Sequence, residues 1–297
     1  MKAFRSRHWP RTLAWLLFAL AAAGIAHAEE PAWSQPHQPF RIYGNTWYVG
    51  TQGLSAILIT SPDGHVLIDG TLPRNATQIE ANIRALGFKL RDIRVILNSH
   101  AHADHAGAIA LLAKDSGAQV QASSSGARAL MAGGNDPDDP QYGSAPLYPA
   151  VARVAVVNDG GRVHVGTISI TAHYTPGHTP GSTSWTWQSC EGGRCLAMVY
   201  ADSLTALGGK NYRFTDDGKH PHRVEDFRHS IARVAALPCD ILLTPHPDAS
   251  DLIGRAERRG RDDEPGALID RQACRNYAAG ARQRFDALLR EEAGTAR

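Results

Sequence analysis

The chain has 297 residues, 43% of them hydrophobic, with 31 Lys and Arg against 29 Asp and Glu, a formal net charge of +2. Four of those basic residues (Lys2, Arg5, Arg7 and Arg11) precede an apolar stretch over 12–25 and the small-residue run Ala26-His27-Ala28, the pattern of an export leader removed ahead of Glu29. Taking the leader's four charges from the 31 leaves 27 basic against 29 acidic residues, which offers no electrostatic basis for binding nucleic acid or an anionic membrane.

The apolar stretch is shorter than the roughly 20 residues a membrane span needs, so the pattern favours a cleaved leader over an anchor. Residues 29–297 suit one large α/β domain or two small ones, and no low-complexity linker divides them. The expected arrangement is a leader over 1–28 followed by a single domain, exported to an oxidising compartment such as the periplasm.

In chain order, strand-like runs cover residues 46–50, 55–60 and 65–69, with Ser61-Pro-Asp-Gly64 as a turn between the last two. Asn75 with Gln78 three residues later reads as a capping box opening a helix over about 76–86, which Gly87 closes. A buried strand is expected over 94–97, a helix over 105–114, a strand over 119–122 and a helix over 124–131. Residues 132–148 are polar and rich in Gly, Pro and Asp, a long surface loop whose tip should border the site. Strand patterns return over 153–157, 162–165, 167–173, 184–188 and 196–200. Helices over 224–237 and 271–290 flank a last strand over 240–244. Strands followed by helices, twice over, imply two β-sheets packed face to face with helices outside.

One decapeptide carries most of the chemistry. Asn98-Ser-His100-Ala-His102-Ala-Asp104-His105-Ala-Gly107 places three imidazoles and a carboxylate within six positions. His100 and His102, two apart in an extended segment, point to one side. Asp104 and His105 fall on the next turn of chain and can face a neighbouring point. Gathering these groups without a cation is costly, and imidazole and carboxylate suit a divalent metal such as zinc. Further ligands are nominated at two other strand ends: His178 in Thr175-Pro-Gly-His178-Thr-Pro-Gly-Ser182, and His246 in Leu242-Leu-Thr-Pro-His246-Pro. The simplest arrangement is two adjacent metal ions.

This combination resembles the metallo-β-lactamase superfamily over roughly residues 40–292, and most of all the β-lactamases of class B, subclass 3. The supporting segments are Pro39-Phe-Arg-Ile-Tyr-Gly-Asn-Thr-Trp-Tyr-Val-Gly50, Tyr200-Ala-Asp-Ser203-Leu, Leu237-Pro-Cys-Asp-Ile-Leu-Leu-Thr-Pro-His-Pro247 and Cys274-Arg-Asn-Tyr277. The resemblance implies an α/β fold, the αββα sandwich, with two Zn2+ in a cleft along one edge. It assigns one zinc to His100, His102 and His178, and the other to Asp104, His105 and His246. All four cysteines lie beyond the leader, and neither close pair has zinc-knuckle spacing. Cys190 and Cys195 can close a small loop, leaving Cys239 and Cys274 to staple the late core to the C-terminal helix, a pairing that the resemblance supports.

The implied activity is zinc-dependent hydrolysis of the β-lactam amide bond by a metal-bound hydroxide, on penicillins, cephalosporins and carbapenems, by a monomer. Asp104 would orient the attacking oxygen, while Ser203, Thr205 and Tyr212 are the candidate substrate-binding residues. Asp69 is a candidate hydrogen-bond partner for a ligand imidazole. Asp202 bridges two metals in glyoxalase-like relatives and stays off them in the subclass 3 pattern, so it is kept out of the ligand set. The alternative activity is an exported hydrolase of the same fold acting on thioesters, lactones or phosphodiesters. A zinc-dependent binding module is a third class, which complete ligand sets disfavour.

Overall fold

The computed structural model describes residues 30–210, 212–216, 218, 221–261 and 264–294. The leader expected over 1–28 lies outside the described residues.

A seven-stranded sheet runs in the order β1 (Phe40–Tyr43), β2 (Thr46–Tyr48), β3 (Ile57–Ser61), β4 (Gly64–Ile68), β5 (Ile93–Leu97), β6 (Gln119–Ala122) and β7 (Val154–Val156). Its first four strands pair antiparallel and β4 through β7 pair parallel. The parallel half needs crossovers, supplied by α1 (Ala76–Ala85), by α2 (Ala103–Ala106) with α3 (Ile109–Ser116), and by α4 (Ser124–Met131). The second sheet has β8 (Arg162–Val165), β9 (Ile168–Tyr174), β10 (Thr183–Glu191) and β11 (Arg194–Tyr200) as antiparallel neighbours. To these β12 (Ile241–Leu243) adds in parallel alongside β11. The helices α5 (Arg223–Ala236), α6 (Leu252–Arg261) and α7 (Ala273–Gly294) complete the chain.

Side-chain alternation explains the layering. On β3, β4 and β5, Ile57, Ile59, Val66, Ile68, Val95 and Leu97 enter the core between the sheets, while Leu58, Leu67 and Ile96 pack under α1 and α3 on the other face. On β11 and β12, Met198, Tyr200, Ile241 and Leu243 face inward, whereas Val199 and Leu242 meet Phe227, Ile231, Ala278 and Phe285 of α5 and α7. Strands buried on both faces read as continuous apolar runs, as these do. The result is the expected αββα sandwich of two mixed sheets.

Both disulfides form as paired above: Cys190–Cys195 across the β10–β11 hairpin, and Cys239–Cys274 between the approach to β12 and α7. Three local expectations fail. Asn75 makes no capping bond; its amide donates to the Trp33 carbonyl and the Thr71 hydroxyl, and Gln78 turns to Asn82 instead. The helix expected over 105–114 is broken at Gly107–Ala108 into α2, which carries Asp104 and His105, and α3. Both β1 and α6 form where neither was expected.

Candidate metal centre

The ends of β5, β9 and β12 meet at one edge of the sandwich, and each delivers part of the cluster. After β5 the chain passes through Asn98 and Ser99 to His100, both of them held by Asp69. Its Oδ1 accepts from the Asn98 amide (3.0 Å) and the Ser99 backbone N–H (2.7 Å), and its Oδ2 from the Ser99 and Tyr200 hydroxyls (2.7 Å each). The second sheet is tied to the same segment: the Thr183 N–H donates to the Ser99 carbonyl (2.8 Å) and the Trp185 indole to the Asn98 carbonyl (3.2 Å). Asp69 therefore braces the metal loop from beneath. It accepts nothing from a ligand imidazole, contrary to the expectation, because its oxygens are taken by these donors.

The imidazole partner is Asp202, at the end of β11. His100 Nδ1 donates to Asp202 Oδ1 at 2.7 Å, with both side chains fully buried. That bond fixes the proton on Nδ1 and leaves His100 Nε2, a buried atom without a hydrogen-bond partner, carrying a lone pair. His178 is oriented in the same way: its Nδ1 donates to the Thr205 carbonyl at 2.7 Å, freeing Nε2. His102 is oriented in reverse, donating from Nε2 to Asp139 Oδ2 at 3.0 Å and freeing Nδ1. The three rings stand with centroids 4.6 to 4.9 Å apart and nearly perpendicular, and their ligand atoms converge within 4.8 Å. Burial first, and then the neighbouring imidazoles, push His178 down to about 3 and His100 well below its ordinary value. Both are therefore neutral, the form a metal requires.

The second group adjoins the first, with His105 and His100 centroids 4.4 Å apart. Asp104 Oδ2 lies 3.0 Å from His105 Nε2 and 3.3 Å from His246 Nε2, and the two nitrogens are 3.2 Å apart. Donors arranged tetrahedrally around a zinc at about 2.0–2.1 Å stand roughly 3.3 Å from one another. This triangle has that size. Two neighbouring three-donor sets, the first with its lone pairs directed inward by outer hydrogen bonds, fit divalent metal ions of the zinc type.

Of the candidate substrate residues, Ser203 and Thr205 line a cavity of about 220 Å³ that His246, Tyr277 and Arg284 share. Tyr212 borders a different one, of about 360 Å³, with Asp139 and Lys210. The long loop thus borders the site as expected. Two residues that sequence reasoning passed over as partners are Asp139 and Asp202. Of the histidines outside the cluster, His65 is buried against Phe88 and His173 bonds Thr186, while His220 lies outside the described residues.

Asp69 supplies a test of the brace. Burial pushes its carboxyl up to about 7 from 3.8, against the Ser99 and Tyr200 hydrogen bonds that pull it down. Because the folded value lies above the unfolded one, this group's contribution to stability is complete below pH 3.8 and is lost as pH rises through 7. Tyr200→Phe removes one donor to the carboxylate and raises the folded value further. The expected loss is about 1.5–2 kcal/mol at pH 8, where the carboxylate is charged, and smaller at pH 6 by up to about 1.4 kcal/mol, the most that one ionisation with a folded value near 7 allows between those pH values. Denaturant unfolding at the two pH values measures it; an equal loss at both would contradict a charged Asp69.

The metallo-β-lactamase superfamily model matches residues 49–191. Among solved structures, the Rm3 metallo-β-lactamase is 50% identical with a TM-score of 0.85, the match covering 88% of this chain and 97% of that one. MEM-A1, a subclass B3 metallo-β-lactamase isolated from a soil metagenome library, is also 50% identical, with a TM-score of 0.86 and coverage of 89% and 99%. MIM-1 from Novosphingobium pentaromativorans is 46% identical, with a TM-score of 0.82 and coverage of 93% and 97%. A hydroxyacylglutathione hydrolase of Anaeromyxobacter dehalogenans (strain 2CP-C) is 33% identical over 142 residues, 48% of this chain and 44% of that protein, so the match spans less than half of that relative's length. With the sandwich, both donor sets and near-complete coverage of relatives half identical to it, the chain belongs to the metallo-β-lactamase superfamily of hydrolases, and its structural kin are of subclass B3.

Proposed function

We propose that this chain hydrolyses the amide bond of β-lactams with two zinc ions, one held by His100, His102 and His178 and the other by Asp104, His105 and His246. The observation that carries the reading is the convergence of these six side chains into two adjacent sets, in a chain about half identical to β-lactamases over nearly their whole length. When bound, zinc supplies a water acidic enough to ionise near pH 7 and polarises the carbonyl under attack.

The protein's own part is orientation. Asp202, Asp139 and the Thr205 carbonyl fix which nitrogen of each first-set imidazole faces inward. Asp104 is the catalytic carboxylate, orienting the attacking water while it completes the second set. Ser203 and Thr205, on the cavity beside His246, bind the substrate carboxylate, and Tyr212 shapes the separate cavity that it borders with the long loop. In this reading Asp202 stays off the metals and serves as the acceptor that orients His100. Residues 1–28 act as a leader that is cleaved on export to the periplasm, leaving residues 29–297 as one monomeric hydrolase domain. Among the described residues no helix is long and apolar enough to cross a membrane. Penicillins, cephalosporins and carbapenems are the proposed substrates, with antibiotic resistance as the consequence.

The hydroxyacylglutathione hydrolase match favours a second reading, a thioesterase of the same fold. One assay separates them. The mature chain should turn over the chromogenic cephalosporin nitrocefin, lose that turnover in EDTA and regain it with zinc. A zinc-loaded chain inert to nitrocefin but active on a thioester, lactone or phosphodiester would replace the β-lactam reading.

A further inference from the structure

We propose that Asp139 is a positioning residue for the first metal set, through which the long loop between α4 and β7 is fastened to His102. The inference rests on the metal assignment above and adds a control that the ligand motif alone does not contain. Asp139 is buried, while the neighbouring Asp138 is exposed. Its two oxygens have separate tasks: Oδ1 accepts from the Gln141 N–H of its own loop at 2.7 Å, and Oδ2 accepts from His102 Nε2 at 3.0 Å. Because Nε2 holds that proton, Nδ1 of His102 faces His100 and His178 with its lone pair, opposite to the orientation of the other two rings.

The loop meets the same metal segment a second time, where the Tyr148 hydroxyl donates to the Ala101 carbonyl at 2.8 Å, between the two ligands. On its far side it is held by Gly209 N–H to the Pro140 carbonyl (2.8 Å) and Arg223 to the Asp138 carbonyl (3.0 Å). Pro137, Asp139, Pro140 and Tyr142 then form one wall of the cavity that Lys210 and Tyr212 close. One carboxylate therefore touches a metal ligand and a cavity wall together. A ligand filling that cavity and zinc in the first set act on the same loop, so each should alter the other's affinity by the same factor.

Zinc affinity, measured by competition with a chromophoric chelator, tests this without relying on activity. Asp139→Ala removes the acceptor and should weaken the first site about 10- to 100-fold, the usual cost of losing an outer partner. Asp139→Asn keeps an acceptor oxygen and should stay within a few-fold of the parent. The cobalt-substituted absorption spectrum should change in the alanine variant and be largely restored in the asparagine variant. A purely structural latch would instead lower the melting temperature of both metal-free variants and leave their zinc affinities equal to the parent's; that result overturns the proposal, as does weakening of the second site alone. A parent chain that binds zinc but hydrolyses no β-lactam removes the proposed activity and leaves this affinity comparison standing.

Discussion

Replacing His178 with alanine should lower kcat/KM for nitrocefin by more than a hundredfold and reduce the zinc retained after dialysis from two ions per chain to one. Loss of a mere outer partner costs about 10–100-fold, and here the proposed ligand itself is removed. His178 is presented by a turn that does not depend on its side chain: Thr175 N–H bonds the Ser182 carbonyl (2.9 Å), Gly177 N–H the Thr179 carbonyl (3.1 Å), and Thr179 N–H the Ser182 hydroxyl (3.1 Å). The fold should therefore survive, and circular dichroism of the metal-free variant should match the parent. The second set is supplied from elsewhere, by Asp104, His105 and His246, so one zinc should remain. A variant that keeps both ions and the parent kcat/KM would show that the ring 4.6 Å from His100 is not a ligand, and the first set would have to be redrawn.

The parts of this site that are contiguous in sequence could be read from it; the parts assembled by the fold could not. His100, His102, Asp104 and His105 announce themselves because four ligand-type side chains in six positions have no bland explanation. His178 and His246 were reachable because Pro and Gly mark strand ends, where a layered scaffold keeps its loops. The partners Asp139 and Asp202 lie 37 and 102 residues from the imidazoles they hold, and each stands in a segment rich in aspartate or turn residues that has its own local reading. The donors that Asp69 takes are hidden for the same reason. A carboxylate at a strand end signals a hydrogen-bond acceptor but does not say which donors the neighbouring strands will bring. The sheets follow from period-2 burial, whereas α6 went unseen because Gly254, Gly260 and four arginines make its polar face read as a loop. The apolar pattern over 105–114 is unbroken and so reads as one helix; the break falls at Gly107 and Ala108, where a side chain on Gly107 would run into Pro73, a residue of a different element.

Gly177→Ala tests how tightly that geometry is seated, one residue before a proposed ligand. Gly177 has φ +145°, and a Cβ there would lie 1.8 Å from Phe227 Cδ2. Phe227 cannot move aside: it is 1% exposed on α5, packed edge to face on Phe285 at 4.7 Å and near Phe214 at 6.2 Å. The same helix holds the turn directly, since the Ser230 hydroxyl donates to the Pro176 carbonyl at 2.6 Å. Backbone strain of about 1–3 kcal/mol and overpacking of a further 1–3 kcal/mol should together lower the melting temperature on the order of 10 °C for a domain of this size. Gly160→Ala is the control, because its φ of +73° is also unfavourable for alanine but nothing lies within 4 Å of the new Cβ. It should cost only the left-handed backbone penalty of about 1–2 kcal/mol. If the turn relieves the clash by lifting away from α5, His178 moves with it, so zinc affinity should fall in Gly177→Ala and be unchanged in Gly160→Ala. Equal melting temperatures for the two variants would mean that the His178 turn is not pressed against Phe227, and that its position depends instead on the metal and on the Thr205 carbonyl.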